Sequence, residues 1–136
     1  MPTTDAVLVL TTLPASADVS AFAGALVEAR LAACVSALPA MDSIYRWKET
    51  IERDAERQLL IKTRPALVDR LFERIRSMHP YEVPELLVLP VTGGGAPYLA
   101  WLSEVTAVED SAVGRSGDRK SRSSSSKSRG AATSGG

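Results

Sequence analysis

The chain has 136 residues, 45% apolar and 24% charged, with seven aromatic rings, enough for one compact domain and too little for two. Its sixteen basic and sixteen acidic side chains cancel, but unevenly: residues 111–136 carry a net of +5 and residues 1–110 a net of −5. A net-acidic body is not built to neutralise a phosphate backbone. No apolar run reaches the roughly 18 residues of a membrane span, and Asp5 stands where a signal peptide carries Lys or Arg, so the expected location is cytoplasmic. The single Cys34 has no partner for an intrachain disulfide.

In chain order, Val7 to Leu10 is a continuous apolar, β-rich run closed by Leu13-Pro14. It reads as a central strand covered on both faces. Ser16 is placed to cap a helix with Val19, Phe22, Leu26 and Val27 three or four apart and Arg30 near its end. A strand begins near Ala33, breaks at Leu38-Pro39 and resumes from Ser43 to Lys48; a polar stretch then turns the chain into Arg57 to Thr63. Pro65 opens a helix in which Leu67, Val68, Leu71, Phe72, Ile75 and Met78 recur at helical spacing until Pro80. Glu85 to Val91 is the last strand, Gly93-Gly94-Gly95 a loop and Tyr98 to Val105 a short helix.

This order predicts an α+β fold, a ferredoxin-like βαββαβ sandwich with an extra C-terminal helix, over residues 1–110. Residues 111–136 hold nine Ser, five Gly and one sizeable apolar side chain, Val113. They are expected to be a disordered, basic Ser/Gly/Arg-rich tail, the only part suited to nucleic acid or another anionic surface. Because one layer of helices covers one side of a sheet, the unalternated strands also predict self-association.

Chemistry-bearing residues are sparse. His79 is the only imidazole, and there is no nucleophile elbow, no GxxxxGK[ST] loop, no CxxC and no HxxxH, so no enzyme and no organic cofactor are expected. The densest stretch is Met78-His79-Pro80-Tyr81-Glu82-Val83-Pro84-Glu85, where two prolines hold the chain extended. One reading is a weak metal site: His79 with Met78 suits copper, and Glu82 suits harder divalent ions. The other is a rigid helix-to-strand connection in which His79 binds the last carbonyls of its helix. Glu56 and Lys62, six apart, share one face of a strand, as an ion pair or the floor of a cleft.

Six segments together resemble the CutA divalent-cation tolerance proteins. They are Val9-Leu10-Thr11-Thr12-Leu13-Pro14, Leu31-Ala32-Ala33-Cys34-Val35, Tyr45-Arg46-Trp47, Glu56 with Ile61-Lys62-Thr63, His79 through Leu86, and Tyr98-Leu99-Ala100-Trp101-Leu102. The resemblance implies a homotrimer of ferredoxin-like protomers whose long hairpin strands pair across subunits, and tolerance of copper or another divalent cation. In that family copper ligation is attributed to a Cys at the end of the first strand and to residues before Pro-Tyr; here Thr11 replaces the Cys, and His79 with Met78 precedes Pro80. The alternative is a PII-like trimeric signalling or scaffold module. It would hold an anion, a small metabolite or a partner protein in intersubunit clefts lined by Trp47, Glu56, Lys62, Tyr81 and Glu85.

Overall fold

A computed structural model describes residues 4–107; the expected tail, 111–136, lies outside them. The order is β1 (Val7–Pro14), α1 (Val19–Glu28), β2 (Cys34–Ala37), β3 (Met41–Trp47), β4 (Thr50–Thr63), α2 (Val68–Met78) after a 3-10 turn Pro65–Leu67, β5 (Leu87–Pro90) and α3 (Ala96–Val105). The strands form one antiparallel sheet ordered β2-β4-β1-β5, with β3 also on β4. β2 and β3 lie along the same side of β4, so they act as one strand interrupted at residues 38–40. Pro39 has no N–H for the ladder, while Leu38 N–H still donates to the Gln58 carbonyl at 2.9 Å. Read that way, the topology is the expected split βαβ arrangement.

β1 is central, bonded to β4 from Val7↔Thr63 to Pro14↔Glu56 and to β5 from Val7↔Pro90 to Leu10↔Leu87. Its faces differ, however. Val7, Val9 and Leu13 join Leu59 and Ile61 of β4 against Phe22 and Leu26 of α1 and Leu71 and Ile75 of α2. On the opposite face Leu8, Leu10 and Leu60 are half-buried, and Leu87 and Leu89 of β5 are exposed. The expected cover on that face is therefore not supplied by the described residues of the protomer. Thr11 sits on the helix-covered face, fully buried, and its hydroxyl finds no partner among the described residues.

Local capping departs from expectation at α1. Asp18, not Ser16, is the N-cap, accepting from Ala21 N–H at 3.1 Å, because the chain is still turning at Ser16, where Ala17 N–H donates to the Pro14 carbonyl. Arg30 does not serve its own helix dipole. It sits past the end at φ 62 in a Schellman arrangement, with Arg30 N–H donating to Val27 and Leu31 N–H to Leu26. Its guanidinium donates instead to the Val105 carbonyl of α3 at 3.0 Å. Arg64 bonds Thr106 twice, at 2.9 and 2.7 Å, so two arginines hold the end of α3, which packs Leu102 on Ala6 and Ala33.

The largest departure is β4, which begins at Thr50, not Arg57. The polar stretch expected to be a turn is strand, because it pairs residue for residue with β3, from Met41↔Glu56 to Trp47↔Thr50. The turn is only Lys48-Glu49, both at positive φ, 49 and 71, as a type I′ hairpin requires. β5 is in turn shorter than expected, since only Leu87–Pro90 pairs with β1.

Candidate functional site

The hairpin β3–β4 and the segment leaving α2 meet at the end of the sheet away from α3. Even-numbered β4 residues from Asp54 to Lys62 and odd-numbered β3 residues from Met41 to Trp47 point to the face opposite the helices, as the register and the two-residue period dictate. Pro80 interrupts the helix and Pro84 keeps the chain extended, which lays Tyr81, Glu82 and Glu85 beside that face. Between them is a cleft of about 590 Å³, lined by Thr12, Met41, Ser43, Ile44, Tyr45, Trp47, Glu56, Gln58 and residues 81–85.

Its polar groups form three hydrogen-bonded sets. Glu56, only 7% exposed, accepts from the Tyr81 hydroxyl at 2.6 Å and the Thr12 hydroxyl at 3.5 Å, both at Oε2. Gln58 spends both amide hydrogens, on the Thr11 carbonyl at 2.8 Å and on Glu85 Oε2 at 2.9 Å. The Tyr45 hydroxyl donates to Asp54. Burial first, then the hydrogen bond to Glu56, raises the Tyr81 phenol well above its ordinary range. The bond to Asp54 pushes Tyr45 up to about 12. Both phenols therefore stay protonated and keep donating to carboxylates.

Among the described residues, the lining thus contains three carboxylates, Glu56, Glu82 and Glu85, three aromatic rings, and no Lys, Arg or His. Of the cleft residues expected from sequence, Trp47, Glu56, Tyr81 and Glu85 converge there. Lys62 does not: it shares the face with Glu56, as expected, but lies six residues further along β4, about 20 Å at strand rise. Its ammonium donates to Ser36 Oγ at 3.3 Å and to Cys34 Sγ at 3.8 Å. Glu56 and Lys62 form neither an ion pair nor a common floor.

The expected metal set of His79, Met78 and Glu82 is not brought together. The Thr12 carbonyl can only accept, so His79 Nε2 carries the proton and donates to it at 2.7 Å; Nδ1 accepts Tyr81 N–H at 3.1 Å. Neither ring nitrogen is left with a free lone pair, and the ring is clamped between Phe22 and Tyr81. Met78 packs against the helix-side core, and only Glu82 reaches the cleft. Among the described residues, no three His, Cys, Asp or Glu are grouped to hold a metal ion. His79 does end its helix, donating N–H to the Ile75 carbonyl, and its ring fixes the segment that carries Tyr81.

The sequence reading missed Gln58, Thr12, Tyr45 and Met41. Parity would have found two of them: Gln58 follows Glu56 by two on one strand and Tyr45 precedes Trp47 by two on another. Thr12 and Met41 required the cross-strand register.

The chain matches the CutA1 divalent ion tolerance protein family over residues 7–105. It is 45% identical over 102 residues to the divalent-cation tolerance protein CutA of Pectobacterium atrosepticum, covering 75% of this chain and 93% of that one. It is 54% identical over 84 residues to protein CutA of Mus musculus, covering 62% and 48% respectively; the chain thus spans about half the length of that relative. Among solved structures, CutA1 of Oryza sativa superimposes with a TM-score of 0.74 at 38% identity, over 79% of this chain and 98% of that one. The Thermus thermophilus divalent cation tolerance protein gives 0.72 at 44%, over 75% and 99%.

Proposed function

The chain belongs to the CutA1 divalent ion tolerance family, and from that premise we propose that it holds divalent cations weakly at the acidic cleft, as a cytoplasmic homotrimer. The observation that carries this reading is Glu56, a buried carboxylate with no basic partner among the described residues, in a cleft whose described lining holds no basic side chain. An unpaired buried charge is costly unless something neutralises it, and a cation is the complement. With His79 engaged at both nitrogens, the donors of the cleft are carboxylate oxygens. Such a set favours a partly hydrated divalent ion over tightly caged copper. Within one protomer the described lining offers an anionic metabolite no basic side chain, so the anion-binding form of the signalling alternative is not favoured.

Self-association follows from the uncovered face of Leu8, Leu10, Leu60, Leu87 and Leu89 together with the unpaired outer edges of β5 and of the first half of β4, which invite pairing with further strands. No helix among the described residues is long and apolar enough to cross a membrane.

The test is titration of the full chain with Mn²⁺ and Cu²⁺, with mass measured by light scattering in the same samples. Glu56→Gln should weaken binding about tenfold or more, as loss of a charged ligand does, and His79→Ala should retain it. Leu89→Lys should lower the mass below that of a trimer. Binding abolished by His79→Ala but indifferent to Glu56→Gln would overturn the cleft as the site.

A further inference from the structure

The same cleft carries a more specific chemical signature than negative charge. Its side-chain donors are spent inward: Tyr81 and Thr12 on Glu56, both Gln58 hydrogens on Thr11 and Glu85, and Tyr45 on Asp54. What faces the space is a set of acceptors. Glu56 Oε1, Glu85 Oε1 and both Glu82 oxygens receive no side-chain hydrogen bond from the described residues, and the Gln58 carbonyl oxygen is likewise unclaimed. The uncommitted side-chain donors of the lining are the Ser43 hydroxyl and the Trp47 indole N–H, neither of them charged. The space is about 590 Å³, within the range of small-molecule pockets and far larger than an ion. Tyr45, Tyr81 and Trp47 supply π-faces, which attract cations directly, and Trp47 already has the Lys48 ammonium 5.6 Å from its ring centre.

We propose that this cleft binds a small organic cation bearing N–H donors, a guanidinium or primary ammonium compound, with its cationic head on Glu56 and its alkyl body along the aromatic wall. The inference rests on the reading of the cleft as a cation site and adds a ligand class to it. A donor-rich head satisfies Glu56 Oε1, the free acceptor of the most buried carboxylate in the lining, where a charge-assisted hydrogen bond is strong. A bare metal ion would fill little of the space and would use none of the aromatic surface. A quaternary ammonium compound matches the rings but has no hydrogen for Glu56.

The experiment is calorimetric titration of the full chain in amine-free cacodylate buffer with agmatine, with tetramethylammonium and, separately, with Mn²⁺. Agmatine should bind saturably, one per protomer, and tetramethylammonium about tenfold more weakly or not at all. Glu56→Gln keeps an acceptor for Tyr81 and should weaken agmatine about tenfold or more. Should that variant prove unstable, the exposed Glu82→Gln serves instead, with an expected loss of about threefold. Agmatine that does not bind while Mn²⁺ does overturns this inference alone, with the cleft closed by another group such as a basic side chain of a second copy. Failure of both cations overturns the cleft as a cation site. Equal affinity for agmatine and tetramethylammonium, or indifference to Glu56→Gln, overturns the assigned role of Glu56.

Discussion

The two halves of β4 obey the same two-residue period and meet opposite fates. From Leu59 to Thr63 the strand is bonded on both sides, to β1 and to β2, and Leu59, Ile61 and Thr63 are fully buried. From Thr50 to Asp54 it is bonded on one side only, to β3, and Ile51, as apolar as Ile61, is 59% exposed. An isolated two-stranded ribbon is marginal in water, so the first half owes its order to the second, which anchors it. Glu56 stands at the junction, where β1 ends and the ribbon projects alone. That explains why the cleft forms there: it is the corner between a two-layered body and a projecting arm, and the corner buries a carboxylate against the Tyr81 segment.

The sharpest way to break this comparison is to truncate both isoleucines. Ile61→Ala should cost about 3 kcal/mol of protomer stability, as core truncations do. Ile51→Ala should cost less than about 0.5 kcal/mol, read by urea denaturation at a concentration where light scattering reports monomer. A comparable loss at Ile51 in that monomer would mean the arm is packed, not bare.

Next in size is the junction itself. Tyr81→Phe removes the donor from a buried carboxylate and should cost about 1–2 kcal/mol at neutral pH, measured by the same denaturation. The phenols also set an alkaline limit. Both are held above their ordinary value of 10 in the folded state, Tyr45 at about 12 and Tyr81 higher, so the folded protein keeps protons that the unfolded chain releases. Their contribution is complete below about pH 10 and is lost as pH rises from there through the folded values. A melting-temperature series from pH 8 to 12 should therefore fall above pH 10, and less steeply in Tyr81→Phe; parallel curves would assign the alkaline loss to other groups.

The smallest expected effect lies at the tip of the arm. Glu49 adopts φ 71 without being glycine, which strains an L-residue. Glu49→Gly should relieve that strain and stabilise the hairpin by about 0.5 kcal/mol after the added freedom of the unfolded chain is deducted. A loss of stability on that substitution would show that the Glu49 side chain holds the tip by a contact outweighing its backbone strain.

Much of the arrangement was legible beforehand. The period-3.6 run from Leu67 to Met78 and the unalternated Val7–Leu10 identified a helix and a central strand, because burial leaves a periodic trace in composition. Pro80 and Pro84 marked the segment that carries Tyr81, Glu82 and Glu85. The length of β4 was not legible, since Thr50 to Ala55 carries the polar composition of a turn and becomes strand only through its ladder with β3. Nor was the employment of His79: its place in the sequence leaves metal ligand and helix-to-strand connection both open until the Thr12 carbonyl and the Tyr81 N–H arrive from positions 67 and 2 residues away and occupy both nitrogens.

By itself, the sequence determined the order of elements, the acidic balance of residues 1–110 and the family, because propensity, hydrophobic period and charge are properties of neighbours along the chain. Only the tertiary structure decided that Glu56 is buried without a counter-ion among the described residues, that Lys62 on the same face of its own protomer lies too far away to supply one, and that most donors around the cleft are already used. Those are properties of register and burial, which bring residues of three strands and one loop into the same few ångströms and have no local trace to read.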